Sequence, residues 1–168
     1  MIVTYTGEGK GKTSAAIGAA IRALGANQKV LFVNFLKGRE SHEFNIFEEL
    51  KSKGLMHKSF GIYDFVSSIN FDEHKKKVLE GLKFIIENQN NYDMIVLDEI
   101  NVACSLGLIG IDETITLIKN LDCSSKVIIA TGRNASKELE SISDLVSKIE
   151  EIKHPYQKGQ SARVGLDF

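Results

Sequence analysis

The residues of this sequence best suited to chemistry lie in a glycine-rich stretch near its start and in a pair of acids near its middle. The stretch reads TGEGKGKTSAA over residues 6–16, and the acids end the run MIVLDE over residues 94–99. Glycines let backbone N–H groups approach an anion, and lysines add positive charge. Hydroxyl and carboxylate oxygens are the ligands that Mg²⁺ prefers. The two stretches together predict a site for a nucleotide triphosphate.

Individual roles follow from these residue types. Lys12 is expected to reach the terminal phosphates and Thr13 to bind Mg²⁺. Asp98 or Glu99 should hold the metal or its waters, and the spacing does not decide between them. Lys10 either adds a second charge or points to water. The candidates for nucleotide contact in the glycine-rich stretch are Gly7, Glu8, Gly9, Lys10, Gly11, Lys12, Thr13 and Ser14.

A third candidate follows a later apolar run, in IIATGRNAS over residues 128–136. Arg133 comes directly after Thr131 and Gly132, which places its guanidinium where ligands bind in parallel α/β sheets. We expect it to contact the triphosphate or another anion. The alternative is an ion pair with a surface carboxylate.

The elements that must position these residues alternate between short apolar strands and helices. Strands are predicted at 2–5, 30–35, 56–60, 94–98 and 127–131, with a later run near 145–152, and helices at 12–24, 43–53, 72–88, 111–120 and 136–141. Runs such as VLFVNF carry too little alternation for a sheet with one wet face. The fold class is therefore α/β, with a mainly parallel sheet covered by helices on both faces.

Composition narrows the classes of function. A chain of 168 residues suits one domain, and its net charge of −1 does not favour a nucleic acid partner. No apolar run reaches the roughly 20 residues of a membrane helix, and the start lacks a secretory signal, so the expected location is the cytoplasm. Cys104 and Cys123 are interpreted as reduced thiols without a role. His42, His57 and His74 are interpreted as surface or packing residues.

Five segments in order resemble the P-loop family of ATP:corrinoid adenosyltransferases. They are YTGEGKGKTSAAIGAAIRALG, VLFVNFLKG, MIVLDEINVACSLGLI, IIATGR and KHPYQKGQSARVGLDF. The likeness is strongest at residues 3–38, 94–109, 127–133 and 153–168. Thr6 stands where the usual phosphate-loop pattern has glycine, but the short loop preceded by threonine is similar to the family's own version.

The resemblance implies a single P-loop NTPase-like (RecA-like) domain over residues 1–168. It also implies transfer of the 5′-deoxyadenosyl group of ATP to Co(I) of a corrinoid, with triphosphate leaving. Similar enzymes hold the triphosphate reversed relative to ordinary ATPases. Lys12, Thr13, Glu99 and Arg133 would then do the electrostatic work, with Mg²⁺ on Thr13 and Asp98 or Glu99.

The same resemblance implies further contacts and partners. Lys37 matches the family's FxKG segment, and Asn101 matches its DEIN motif, where a structural cap is the alternative. His154 and Lys158 are implied as nucleotide or corrin contacts, in a tail over residues 153–168 that closes over the ligand or is a pinned terminal loop. A flavoprotein reductant and a homodimer are implied as well.

One segment departs from the family's pattern. Members commonly carry a Gly-Phe-Thr-Trp-like stretch after the third strand, whereas this chain has FGIYDFVSSINF and no tryptophan. Phe60, Tyr63, Phe65 or Phe71 would substitute for these aromatics, or they only pack. The alternative functions are a P-loop ATPase or small-molecule kinase, and a non-catalytic regulator that binds ATP or corrinoid.

Overall fold

The fold is built on one parallel sheet, seen here in a computed structural model. The structure describes residues 1–38, 41–121, 125–155 and 159–166. Six strands run in the order β3-β2-β4-β5-β1-β6, and every neighbouring pair is parallel. The strands are β1 Ile2–Thr6, β2 Val30–Phe35, β3 Leu55–Phe60, β4 Met94–Asp98, β5 Val127–Thr131 and β6 Leu145–Lys148.

Helices cover both faces of this sheet, as the apolar strands predict. The helices are α1 Lys12–Gly25, α2 Glu43–Leu50, α3 Phe71–Asn88, α4 Ile100–Ser105, α5 Ile111–Asn120 and α6 Lys137–Ile142. Buried residues of α1 and α2 pack on one face with Phe32 and Val96, while α3 to α6 pack on the other with Leu31 and Leu97. The predicted α/β class with helices on both faces is confirmed.

The carboxyl ends of the strands meet at one edge of the sheet, because all of them run the same way. In register, Asn34 of β2 stands opposite Asp98 of β4, and both lie on the α1–α2 face. Helix α1 begins immediately after the glycine-rich stretch that follows β1. Its small buried residues, Ala16 and Ala20, let its backbone pack closely on the sheet. This packing brings the start of α1 to the same edge as the acids.

Two predicted elements differ from the structure. The last strand was expected to run near 145–152, but β6 ends at Lys148, because its partner β1 ends at Thr6, which pairs with Lys148. The helix expected over 43–53 ends at Leu50, and a 3₁₀ turn continues over Lys51–Lys53 to Gly54, which has a φ of 101°. Helix α4 was not predicted; six residues are too few to show a helical period.

Two further sequence interpretations can be compared with the fold. In the part of the chain that the structure describes, no helix is long and apolar enough to span a bilayer. Burial raises the pKa of the Cys104 thiol, although its hydrogen bond with Thr114 acts in the opposite direction. A raised pKa leaves little reactive thiolate, which fits the absence of an assigned role. Cys123 lies outside the described residues.

Candidate active site

A cavity of about 800 Å³ opens at the carboxyl edge of the sheet, where most of the predicted site residues come together. The glycine-rich loop and the start of α1 form one side, and residues after β2, β4 and β5 contribute others. The predicted residues that line the cavity are Glu8, Gly9, Lys10, Gly11, Lys12, Thr13, Ser14, Lys37, Glu99, Arg133 and His154. Most of the residues predicted from the sequence therefore lie together around one cavity.

The loop keeps its shape through contacts with the segment that follows β6. Gly7 has a φ of 98°, and a Cβ there would collide with the Ile149 carbonyl oxygen. The Gly9 N–H donates to that same oxygen at 2.8 Å, and a Cβ on Gly9 would lie 2.6 Å from Glu150 carbonyl atoms. These two glycines are therefore required by the neighbouring backbone, apart from any ligand.

Thr6 has a structural role just before the loop. Its side chain is nearly buried, and its Oγ1 accepts a hydrogen bond from the Ala135 N–H at 3.1 Å. The bond ties the end of β1 to the segment that carries Arg133. The threonine in place of glycine thus joins the glycine-rich loop to the segment that follows β5.

Lys12 is buried at the bottom of the loop, with 7% of its surface exposed. Its Nζ donates to the carbonyl oxygens of Gly7 and Gly9, both at 2.7 Å. Burial lowers the pKa of Lys12, while the charge of Glu99 acts in the opposite direction. The ammonium is therefore held by the loop's own backbone, at the point where it can face an anion.

The first turn of α1 lines the cavity, and the first N–H groups of a helix have no partner within the helix itself. Gly11 is the N-cap residue, with a φ of 118° and no side chain to accept from the first turn, and no acid lies in that turn. The positive end of a helix dipole and free N–H groups attract phosphate. Because this helix has 14 residues, its dipole is well developed.

Asp98 lies beneath the cavity and is completely buried. Its Oδ1 accepts from the hydroxyls of Thr13 at 2.9 Å and Thr131 at 2.7 Å, and its Oδ2 accepts from Asn34 Nδ2 at 2.7 Å. The Lys37 Nζ lies 3.6 Å from Oδ2. These contacts occupy both carboxylate oxygens, so Asp98 fixes the Thr13 hydroxyl in place.

Of the two adjacent acids at the end of β4, Glu99 lines the cavity and Asp98 does not. Glu99 has a φ of 65°, and its N–H donates to Thr131 Oγ1 at 3.0 Å, which holds this unusual backbone conformation. Burial and the nearby charge of Asp98 raise the pKa of Glu99, opposed by Lys37, Lys12 and Arg133. A positive ion beside the Glu99 carboxylate would stabilise its charged form and so lower this raised pKa.

The described residues do not form a metal site by themselves. No group of three or more His, Cys, Asp or Glu among them could hold a metal ion. The Thr13 hydroxyl and the Glu99 carboxylate nevertheless fit Mg²⁺, which is usually held by one or two carboxylates while substrate phosphates and water complete its shell. Asp98 is expected to act through Thr13, because protein donors occupy both of its oxygens.

Lys37 lies between two acids at the end of β2. Its Nζ lies 3.0 Å from Glu43 Oε1, and Ser41 also donates to the Glu43 carboxylate. Burial lowers the pKa of Lys37, but the charges of Asp98 and Glu43 outweigh burial, so its pKa is raised. Lys37 is thus a fixed positive charge on the cavity wall.

Arg133 both lines the cavity and forms the ion pair that was the alternative reading. Its Nε lies 3.5 Å from Glu8 Oε2, and both side chains are more than half exposed. An exposed pair of this kind is weak and easily exchanged for a ligand. Arg133 therefore forms an ion pair with a surface carboxylate, and it also lies where it could contact an anion in the cavity.

Other predicted residues lie apart from the cavity. Asn101 is buried behind it, and its Nδ2 donates to the Gly132 carbonyl oxygen at 3.1 Å; it does not cap helix α4, whose N-cap residue is Glu99. Gly7 and Asp98 support the lining residues without belonging to them. Lys158 lies outside the described residues, whereas Glu151, His154, Gly165 and Leu166 of the carboxyl-terminal segment line the cavity.

The four candidate aromatics separate clearly. Phe60 and Phe71 pack against the hydrophobic core, and the Phe60 ring lies 5.6 Å from that of Phe84. Tyr63 is 67% exposed. Phe65 is 83% exposed and lines the cavity, so it is the aromatic of the four that a bound ligand would meet.

Sequence reasoning did not identify Asn34, Glu43 or the hydroxyl of Thr131. Asn34 carries a usable signal, because it is a polar residue inside the apolar strand VLFVNF. Glu43 starts an ordinary amphipathic helix, and nothing in its spacing points to Lys37. Contacts between distant strands and helices depend on register, which the sequence does not state.

Comparisons with known proteins identify the family of this chain. The family model described as ATP:corrinoid adenosyltransferase BtuR/CobO/CobP matches residues 1–168. A corrinoid adenosyltransferase of Pseudomonas aeruginosa is 30% identical over 174 residues, covering 100% of this chain and 83% of that protein. Those of Sinorhizobium sp and Escherichia coli K12 are 29% and 28% identical, covering 100% of this chain and 80% and 85% of theirs. This chain belongs to the ATP:corrinoid adenosyltransferase family.

Proposed function

We propose that this protein transfers the 5′-deoxyadenosyl group of ATP to the Co(I) centre of a corrinoid. The full-length family match carries the proposal. Cobalt supplies the electron pair that forms the Co–C bond, the bond between C5′ and its oxygen breaks, and triphosphate leaves with the electrons of that broken C–O bond. No protein nucleophile or base is needed, so the enzyme must align the two substrates and stabilise the leaving charge.

The triphosphate is proposed to bind at the glycine-rich loop. Support comes from the uncapped start of α1 and from the positive side chains of Lys10, Lys12 and Arg133 around the cavity. Lys12 exchanges the loop carbonyls for phosphate oxygens, and Arg133 exchanges Glu8 for the same charge. The reversed orientation of ATP would then present C5′ toward the open part of the cavity.

Mg²⁺ is proposed to bind beside Thr13 and Glu99. The Thr13 hydroxyl uses its hydrogen on Asp98, which leaves its lone pairs for a cation. Because the oxygens of Asp98 already accept from protein donors, Glu99 is the better direct ligand, and Asp98 acts through Thr13. When bound, Mg²⁺ neutralises charge that builds on the leaving triphosphate.

The corrinoid is proposed to approach from the side of Phe65 and the carboxyl-terminal segment. Phe65 takes the place of the aromatic residue that family members have and this chain lacks, and it packs against the corrin. His154 also lines the cavity, where it can contact nucleotide or corrin. Residues 153–168 close over the bound substrates. A flavoprotein reductant that supplies Co(I) and a homodimer complete the proposal and follow from the family resemblance. A cytoplasmic location is proposed as well, from the sequence pattern.

The direct test is formation of adenosylated corrinoid from ATP, Mg²⁺ and chemically reduced cobalamin, followed by its absorption spectrum. Lys12→Ala should lower kcat/KM by about 10²–10³-fold, since removal of one preorganised donor costs this much in comparable sites. Lys29→Ala is the control, because Lys29 lies at the start of β2, at the opposite edge of the sheet. Unchanged activity of Lys12→Ala would remove the loop from the proposed site.

A further inference from the structure

A chain of three hydrogen bonds, buried at its centre, extends from the edge strand β3 to the Thr13 hydroxyl. His57 of β3 contacts Asn34 through Nε2 and Oδ1 at 2.7 Å, and Asn34 Nδ2 donates to Asp98 Oδ2 at 2.7 Å. Asp98 in turn accepts from the Thr13 hydroxyl at 2.9 Å. The chain crosses three neighbouring strands, β3, β2 and β4, on the face covered by α1 and α2.

The direction of each bond follows from the chemistry of the groups. A carboxylate accepts hydrogen bonds and does not donate them, so the NH₂ group of Asn34 must face Asp98. The Asn34 oxygen then faces His57, and an oxygen facing a ring nitrogen requires that this nitrogen carry hydrogen. The arrangement therefore selects the Nε2–H form of His57. This form holds the Asn34 amide with its oxygen toward His57 and its NH₂ group toward Asp98.

Helix α2 holds the imidazole in place. The His57 ring centroid lies 4.3 Å from that of Phe44, 5.1 Å from Phe47 and 6.5 Å from Phe32. Burial among these rings lowers the pKa of His57 to about 4, opposed by Glu48 and Glu43 and assisted by Lys37 and Lys51. The ring is thus neutral near pH 7, as a single-tautomer donor requires.

We propose that His57 is a positioning residue, which orients Asn34 so that the Asp98 carboxylate holds the Thr13 hydroxyl ready for Mg²⁺ bound with ATP. The inference rests on the proposed function for the identity of the reaction, but not for the hydrogen bonds themselves. His57 does not line the cavity and acts through Asn34 and Asp98. Its loss should weaken the response to Mg²⁺ more than it lowers the rate at saturating Mg²⁺.

The test combines spectroscopy with two substitutions. Imidazole ¹H–¹⁵N spectra of the whole protein, which has four histidines, should show His57 as the Nε2–H tautomer at neutral pH. His57→Phe keeps an aromatic ring without the donor, and His57→Gln restores an N–H. Calorimetry of ATP binding at varied Mg²⁺, without corrinoid, should give about a tenfold higher half-saturating Mg²⁺ for the Phe variant, as loss of one buried hydrogen bond predicts. The Gln variant should stay within about threefold of the wild type.

His74→Phe is the control, because His74 is also a histidine inside the fold, at 1% exposed more buried than the half-buried His57, and neither of its ring nitrogens has a hydrogen-bond partner among the described residues. It should bind like the wild type. An Nδ1–H tautomer for His57, equal effects of Phe and Gln, or no effect of either would overturn the inference. If the Phe variant does not fold, the test rests on the tautomer of His57 and on the Gln variant. An Nε2–H tautomer with a Mg²⁺ dependence of the Gln variant close to that of the wild type would support the inference, and failure of either would overturn it. Failure of the wild type to adenosylate corrinoid would defeat the proposed function while leaving these readouts valid.

Discussion

At the scale of single residues, the site depends on side chains that hold other side chains. Asp98 is buried and binds the hydroxyls of Thr13 and Thr131, which leaves Glu99 to face the cavity. Lys12 is kept at the bottom of the loop by two backbone oxygens. The groups proposed to contact the triphosphate are therefore held in place by the protein itself, which is the condition for electrostatic catalysis.

Thr6 illustrates how such a residue can be tested. Thr6→Val keeps the shape of the side chain but leaves the Ala135 N–H without its acceptor. We expect a loss of about 1–3 kcal/mol in the free energy of unfolding, measured in urea. Thr6→Ser retains the hydroxyl and should lose clearly less. Equal losses in the two variants would mean that packing, and not the hydrogen bond, explains this threonine.

His57 predicts a pH dependence of stability. Its pKa falls from 6.5 to about 4 on folding, because burial disfavours the charged ring. The contribution of His57 to the free energy of unfolding is fully present above pH 6.5. It is lost as the pH falls toward 4, because this histidine binds a proton in the unfolded chain before it does so in the folded protein. His57→Gln does not titrate, so its free energy of unfolding should fall less than that of the wild type between about pH 7 and about pH 5. Parallel curves for the two proteins would contradict the assigned shift.

At the scale of elements, the glycine-rich loop is fitted to the chain that follows β6. Gly7→Ala would place a Cβ against the Ile149 carbonyl at a φ of 98°. We expect it to lower the free energy of unfolding by about 1–3 kcal/mol from backbone strain alone. The measurement is denaturant unfolding in the absence of nucleotide, which separates this cost from any effect on binding.

Gly18→Ala is the control for Gly7→Ala. Gly18 lies within α1, where an added Cβ meets nothing within 4 Å. Alanine should raise stability there by about 0.5–1 kcal/mol, because it restricts the unfolded chain and favours helix. If both variants were equally stable, the close contact between the loop and the Ile149 backbone would be wrong.

Strands with a clear apolar run of their own could be predicted from the sequence. Elements whose ends depend on another segment of the chain could not. The apolar runs gave β2, β4 and β5 at their observed bounds. The end of β6 depends on where β1 stops, and α4 depends on a turn at Glu99 with positive φ. The residues of the loop were recognised as a group because phosphate binding requires adjacent glycines and lysines. Asn34 and His57 were not recognised, because their roles arise from the register between β2, β3 and β4.

At the scale of the whole molecule, ligand binding should be visible as stabilisation. Mg²⁺ and ATP at about 100 times Kd should raise Tm by about 5–10 °C for a chain of this size. Inorganic triphosphate with Mg²⁺ should also raise it, because the proposed contacts are to the phosphates. Lys12→Ala should remove most of the shift, and Arg22→Ala, on the last turn of α1, should not. A shift with adenosine but none with triphosphate would contradict binding at the glycine-rich loop.

The fate of the phosphates tests the account as a whole. With limiting reduced cobalamin and excess Mg²⁺ and ATP, ³¹P NMR should show one equivalent of inorganic triphosphate for each Co–C bond formed. That result requires attack at C5′ with the triphosphate leaving intact. ADP with phosphate, or a phosphorylated acceptor, would instead identify an ATPase or kinase and would contradict the proposed adenosyl transfer.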